Sequence, residues 1–176
     1  AETAKVIENI QRDVNIGLIN EIYLVCKKLK LNFNNIINLA STKCNFTKFN
    51  PGLVGGHCLP VDPYYFSYIS KKNKFNTKIT LAGRYTNDAM TDIVKKEIIS
   101  NLKKYNPKSN KKILICGLTY KKNVADLRNS LPLKIFSYLK KKNKKIKGYE
   151  PLIDIEYAKK NNLVTTFNDF LKFDIY

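Results

Sequence analysis

Apolar residues return every three or four positions over residues 2–30. Ile7, Ile10, Val14, Leu18, Ile22 and Val25 share one stripe, and no proline interrupts them. That period is helical, so one long amphipathic helix is expected there. Residues 32–41, with Phe33, Ile36, Ile37 and Leu39, fit a second, short helix. The pattern then stops. Residues 42–63 contain the run FNPGLVGGHCLPVDP, which holds three of the six prolines and three of the seven glycines. This is the composition of a constrained loop. Helical spacing resumes over 64–72 and again over 78–105, and NPKSN at 106–110 reads as a linker.

Past the linker the period changes. KKILICGL is a short apolar run bounded by charge and glycine, which suits a buried strand. A polar loop at 119–130 leads to Ser130-Leu131-Pro132, the cap and first turn of a helix over 132–142. Next come a strand near 145–149, a helix near 153–160, a strand at 163–165 and a helix at 168–172. Such alternation predicts a doubly wound parallel sheet. The expected architecture is an α-helical domain over 1–107, then an incomplete α/β, Rossmann-like domain over 108–176. The chain opens within a helical pattern and closes in KFDIY, a strand-like run, so it is expected to be part of something larger.

Composition narrows the class. A chain of 176 residues, 44% hydrophobic and 26% charged, can bury a core and is not disordered. It has no apolar run of membrane-spanning length, and its opening residues, with no basic-then-apolar pattern, are not expected to be a secretory leader. Its four cysteines, Cys26, Cys44, Cys58 and Cys116, are widely spaced and include no C-x-x-C pair. A reduced, cytoplasmic setting is expected, with Cys26 and Cys116 as inert core thiols.

The net charge of +18 invites a nucleic-acid reading. Among 32 basic residues, however, only Arg12, Arg84 and Arg128 are arginines. Base readers lean on the arginine fork, and no zinc finger or aromatic-bearing RNA motif is present. The lysine run at 140–145 therefore reads as a solvated helix end, and no nucleic-acid partner is expected. A basic binding module remains the competing class. Where lysine is the default, an arginine points to a need for planar, bidentate contact. Arg12 has a local explanation in Glu8, one helical turn earlier; Arg84 and Arg128 do not.

Chemistry concentrates in the loop. Gly55 and Gly56 allow a backbone to pass close to a ligand, and Pro60 and Pro63 stiffen the chain beyond them. Cys58, held between the glycines and the prolines with Asp62 four residues on, is a candidate nucleophile. His57 is adjacent, but neighbouring side chains diverge, so a Cys/His dyad is not expected. One histidine and scattered cysteines lack metal-ligand spacing. Lys5 and Asn9 share a helix face, and beside a nucleophilic thiol they would donate to developing negative charge.

Four segments, AETAKVIENIQRDVN, FNPGLVGGHCLPVDPYY, LAGRYTND and GLTYKKNVADLRNS, resemble successive landmarks of the UDP-sugar 6-dehydrogenases. The GGHC form with VDPYY is most similar to the UDP-N-acetylhexosamine branch; in the UDP-glucose branch Ser commonly precedes the Cys. UDP-glucose oxidation is the runner-up. The resemblance implies oxidation of carbon six of a UDP-sugar to the uronate with two NAD, for surface polysaccharide synthesis such as capsule. Cys58 would form a thiohemiacetal and then a thioester. Lys5 and Asn9 would hold the oxyanion and the attacking water, and Asp62 would position or deprotonate that water. Phe49, Asn50 and Gly52, with Gly55, would line the sugar, although Asn50 stands where the branch often has a basic residue. Lys121 would contact the UDP-sugar and Arg128 would approach NAD. Arg84 falls in a landmark and is taken as a substrate-site residue. No G-x-G-x-x-G occurs, so the NAD-binding domain of the family, with its catalytic Glu, would precede Ala1. The fragment alone would be inactive. The long first helix implies a homodimer.

Overall fold

The computed structural model describes residues 2–105, 107–108, 111–161, 163–164 and 173–174. They form two compact units: residues 1–54 with 58–90, and residues 55–57 with 91–176. The expected helix at 168–172, the last residue of the strand at 163–165 and most of the linker at 106–110 lie outside the described residues. So does most of KFDIY.

The first unit is helical. α1 (Glu2–Lys28) has an acid in its first turn and Lys27 and Lys28 in its last, charges that suit the helix dipole. α2 (Phe33–Ala40) starts at Asn32, whose side chain accepts the Asn35 amide at 3.1 Å. After the proline-rich loop, α3 (Asp62–Lys72) begins with Asp62 and Pro63 in its first turn. α4 (Lys78–Tyr105) starts in this unit and continues into the second. α1 and α4 meet backbone to backbone. A Cβ on Gly17 would lie 2.9 Å from the Gly83 carbonyl oxygen, and one on Gly83 would lie 3.0 Å from the Val14 Cα. Only glycine admits so close an approach.

Which face of α1 is buried departs from the apolar stripe. Ile7, Leu18 and Val25 are about half exposed, whereas Asn9, Asp13, Gly17, Ile19, Asn20 and Cys26 are buried. The reason lies in the facing helix, which presents Gly83, Arg84 and Asn87. Polar groups on one helix satisfy polar groups on the other, and burial tracks that match rather than hydrophobicity.

The second unit holds a parallel sheet of strand order β1-β2-β3. β1 (Ile113–Cys116) pairs with β2 (Ile146–Tyr149) in the register Ile113 to Ile146, and β2 pairs with β3 (Leu163–Val164) from Gly148 to Leu163. α5 (Leu131–Lys142) and α6 (Ile155–Lys160) make the connections. Ser130 caps α5 by accepting the Leu133 amide at 3.1 Å, as its sequence signal requires. Ile113, Leu114, Leu118, Ile135, Phe136, Leu139, Ile146, Leu163 and Val164 are buried. Cys116, expected in the core, is exposed, because β1 ends there and the chain turns at Gly117 with φ +81°.

Candidate functional site

The first unit gathers the nucleophile motif around the start of α3. The Val61 and Asp62 amides donate to the Cys58 carbonyl at 3.0 and 2.9 Å, so the cysteine backbone forms the turn from which the helix grows. The Cys58 thiol is exposed. Asp62, in the first turn of α3, accepts from Asn9 Nδ2 at 2.6 Å. Asn9 is 1% exposed, so its carboxamide is fixed at the first turns of α1. Carboxamide, carboxylate and thiol-bearing backbone thus come together from residues 53 positions apart in sequence. Lys5, one turn before Asn9, has its Nζ 2.7 Å from Glu8 and is mostly exposed. Glu8 is shared with Arg12, the local pair expected from the sequence.

Behind this lies a buried polar network. Asn20 grips Gly52 twice: its Nδ2 donates to the Gly52 carbonyl at 2.9 Å, and its Oδ1 accepts the Gly52 amide at 2.8 Å. The same Nδ2 reaches Asn87 Oδ1 at 2.9 Å. Asn87 Nδ2 in turn donates to the carbonyl of Asp13 at 2.8 Å and to its carboxylate at 2.9 Å. Arg84, 1% exposed, donates to Asp13, which is fully buried, and to Asp88 at 2.5 Å. Asp88 also accepts from the Tyr64 hydroxyl at 2.8 Å. Gly52 is therefore held by α1, and the loop carrying Phe49 and Asn50 runs directly into it. Arg84 sits inside the network, with both terminal nitrogens engaged by carboxylates.

The electrostatics are set by burial. Removal from water pushes the Asp13 carboxyl upward, against the opposing pull of Arg84 and Asn87. For Arg84 burial acts to lower the value, but Asp13 and Asp88 together outweigh it and hold the guanidinium above its ordinary range. The hydrogen bond to Asp88 pushes the Tyr64 phenol up.

The second unit carries the other predicted residues. Lys121 is exposed in the loop after β1, and its carbonyl accepts the Thr119 hydroxyl at 3.2 Å. That loop is anchored by Glu150, 3% exposed at the end of β2. One carboxylate oxygen of Glu150 accepts the amides of Leu118 at 2.8 Å and Thr119 at 3.1 Å. Arg128 is forked on Asp126 through Nε and an η nitrogen, the latter at 2.8 Å. That fork, with the Arg128 backbone amide, holds the Asp126 carboxyl far below the usual carboxylate range. Gly55 to His57 also belong here: His57 Nε2 is 3.4 Å from Asp126, and its ring meets Tyr120 edge-on.

Asp13, Asn20, Asn87, Asp126 and Glu150 were not singled out from the sequence. Asp126 had a signal, two residues before an unexplained arginine. Glu150 had a weaker one, as an acid directly after a strand in a chain with 14 acids. Among the described residues no group of three or more His, Cys, Asp or Glu could hold a metal ion. No described helix is long and apolar enough to cross a membrane.

Two family models match the chain. Residues 1–89 match the central domain of the UDP-glucose/GDP-mannose dehydrogenase family, and residues 114–173 match the UDP binding domain of that family. The chain is 39% identical over 161 residues to a UDP-N-acetyl-D-glucosamine 6-dehydrogenase of Salmonella typhi, covering 91% of this chain and 38% of the relative. It is 43% identical over 141 residues to Protein CapL of Staphylococcus aureus, covering 80% and 33%. Among solved structures, the UDP-N-acetyl-mannosamine dehydrogenase Cap5O from S. aureus superposes with a TM-score of 0.77 at 30% identity, covering 96% of this chain and 38% of that one. The chain thus spans about a third of the length of these relatives.

Proposed function

We propose a chemistry from one premise: the chain belongs to the UDP-glucose/GDP-mannose dehydrogenase family. It serves as the nucleophile-bearing and UDP-sugar-binding part of an NAD-dependent dehydrogenase that oxidises carbon six of a UDP-N-acetylhexosamine to the uronate. The observation that carries this reading is the 2.6 Å contact of Asn9 with Asp62 beside the Cys58 turn. A carboxamide and a carboxylate in contact at the helix start that follows Cys58 support their use as donor and base beside a nucleophilic thiol.

The sugar alcohol is first oxidised to the aldehyde. The Cys58 sulfur then adds to carbon six, giving a thiohemiacetal whose oxygen receives hydrogen bonds from Asn9 and the Lys5 ammonium. Loss of a second hydride from carbon six, with the hydroxyl proton, leaves a thioester. Asp62 orients a water and takes its proton as the water attacks the thioester carbon; the carbon–sulfur bond breaks, freeing uronate and thiol. NAD, when bound, accepts the two hydrides. Arg128, whose side chain is 78% exposed, would approach it. The chain holds no G-x-G-x-x-G turn, so the remainder of the NAD seat is assigned to residues outside this chain. Lys121 contacts the UDP-sugar. Phe49, Asn50, Gly52 and Gly55 line the sugar, and Arg84 acts on it through the network that fixes Gly52.

The half-exposed Ile7, Leu18 and Val25 of α1, with exposed Tyr65, Tyr68 and Ile69 of α3, suit burial against a second copy, which supports a homodimer. None of the four thiols is in a disulfide, which fits work in the cytoplasm. A uronate product would serve surface polysaccharide synthesis, the use that the resemblance implies.

The test is turnover by the complete enzyme given a UDP-N-acetylhexosamine. Two NAD should be reduced per sugar, and Cys58→Ser should stall before uronate release. Uronate formation by Cys58→Ser at the wild-type rate would refute the role of the thiol; preference for UDP-glucose would select the runner-up substrate.

A further inference from the structure

Gly55, Gly56 and His57 belong to the second unit, where they lie against the loop between β1 and α5. The Gly56 amide donates to the Asn129 carbonyl at 3.3 Å. A Cβ on Gly55 would lie 2.8 Å from that same oxygen. Gly56 has φ +89°, and a Cβ there would lie 2.8 Å from the Tyr120 ring. Both glycines are therefore required by contact, and Gly56 by its backbone as well. His57 closes the tripeptide, its Nε2 3.4 Å from Asp126 Oδ2 and its ring centroid 5.9 Å from that of Tyr120 at 71°. Asp126 is itself fixed by the Arg128 fork and by the Arg128 amide at 2.8 Å, and its carbonyl accepts the Tyr120 amide at 3.2 Å.

We infer that His57 is a positioning residue for the nucleophile: with Gly55 and Gly56 it forms a clasp on Tyr120, Asp126 and Asn129 that fixes the backbone leading into Cys58. The carboxylate of Asp126 can only accept, so His57 Nε2 carries the hydrogen in this contact. Arg128 holds Asp126 from the other side, so the residue proposed to meet the cofactor and the residue before the nucleophile share one carboxylate. The catalytic consequence rests on the covalent role proposed for Cys58; the clasp itself does not.

Two variants separate the hydrogen bond from the ring packing. His57→Gln keeps a donor toward Asp126, and His57→Phe keeps a ring on Tyr120. Amide hydrogen exchange of Gly56 in the 176-residue chain reads the clasp without turnover. Loss of the hydrogen bond should speed Gly56 exchange roughly fivefold in His57→Phe, with His57→Gln close to wild type. Asp126→Ala removes the acceptor instead and should reproduce the His57→Phe result; it carries the test if His57→Phe does not fold. Wild-type exchange at Gly56 in both His57→Phe and Asp126→Ala overturns the clasp. In the complete enzyme, His57→Phe should lower kcat on the order of tenfold or more, leave KM for the UDP-sugar unchanged, and be rescued by Gln. An unchanged kcat overturns the positioning role. A wild-type enzyme inactive on UDP-sugars, with Gly56 exchange as expected, refutes the proposed function and leaves the clasp standing.

Discussion

Replacing Arg84 by methionine removes a guanidinium but keeps most of its apolar stem, so the packing of α4 on α1 changes little. The change falls on Asp13. Its side chain is fully buried, with one carboxylate oxygen served by Arg84 and Asn87 and the other without a hydrogen-bond partner. Without Arg84 the carboxylate keeps only Asn87 as a side-chain donor. Breaking a buried ion pair from one side costs about 3–5 kcal/mol, and the half-exposed partner Asp88 adds no more than about 1 kcal/mol. For a chain of this size that corresponds to a fall in Tm of roughly 10 °C. The loss should depend on pH. Burial holds the Asp13 carboxyl above its ordinary value of 3.8, so the folded state binds its proton more tightly than the unfolded state does. Its contribution is therefore fully present below pH 3.8 and is lost as pH rises through the folded value. Removing Arg84 deepens that loss. The deficit of Arg84→Met should be small near pH 4 and largest at neutral pH. Asp13→Asn in the same chain should recover much of it, since an uncharged amide still accepts from Asn87. Urea denaturation monitored by circular dichroism at pH 4 and pH 7 checks this. A deficit below about 1 kcal/mol at pH 7, or one that is the same at both pH values, refutes the reasoning.

Other expectations rest on single contacts. Gly17→Val places branched atoms where one Cβ already meets the Gly83 carbonyl; it should cost about 1–3 kcal/mol in thermal or urea unfolding by forcing α1 from α4. Asn20→Ala removes the two-way grip on Gly52. It should raise KM for the UDP-sugar in the complete enzyme by loosening the loop of Phe49 and Asn50, and an unchanged KM would contradict that use of the network. Glu150→Gln replaces a charged acceptor of two amides. A loss of about 1.5–3 kcal/mol is expected, with faster exchange at the Leu118 and Thr119 amides.

The described helices and strands were legible because each depends on its own segment. The 3.6-residue period gave α1, Ser130 with Pro132 gave the start of α5, and the proline-rich run gave the loop. Partner choice was not. Nothing local in Asp13, Asn20 or Asn87 shows that the buried face of α1 is its polar one, because that depends on a helix some 70 positions away. Gly17 and Gly83, lone glycines inside helical patterns, were the available sign of two backbones in contact. Within the candidate site, the resemblance assigns Asn9 to the oxyanion and Asp62 to the attacking water from two separate segments, and the two side chains touch. Arg84 stands out in the sequence as one of three arginines and reads there as a substrate-site residue; its guanidinium pairs with Asp13 and Asp88. A one-dimensional reading cannot separate an arginine that meets a ligand from one that holds the scaffold.

The covalent bond at Cys58 is the claim to measure first. Asp62→Asn in the complete enzyme, mixed with NAD and a UDP-N-acetylhexosamine and quenched in acid, should accumulate the thioester because its water is no longer deprotonated. Peptide mass spectrometry should find the sugar nucleotide attached to the peptide holding Cys58. Its absence there, while uronate is still produced, would contradict the mechanism.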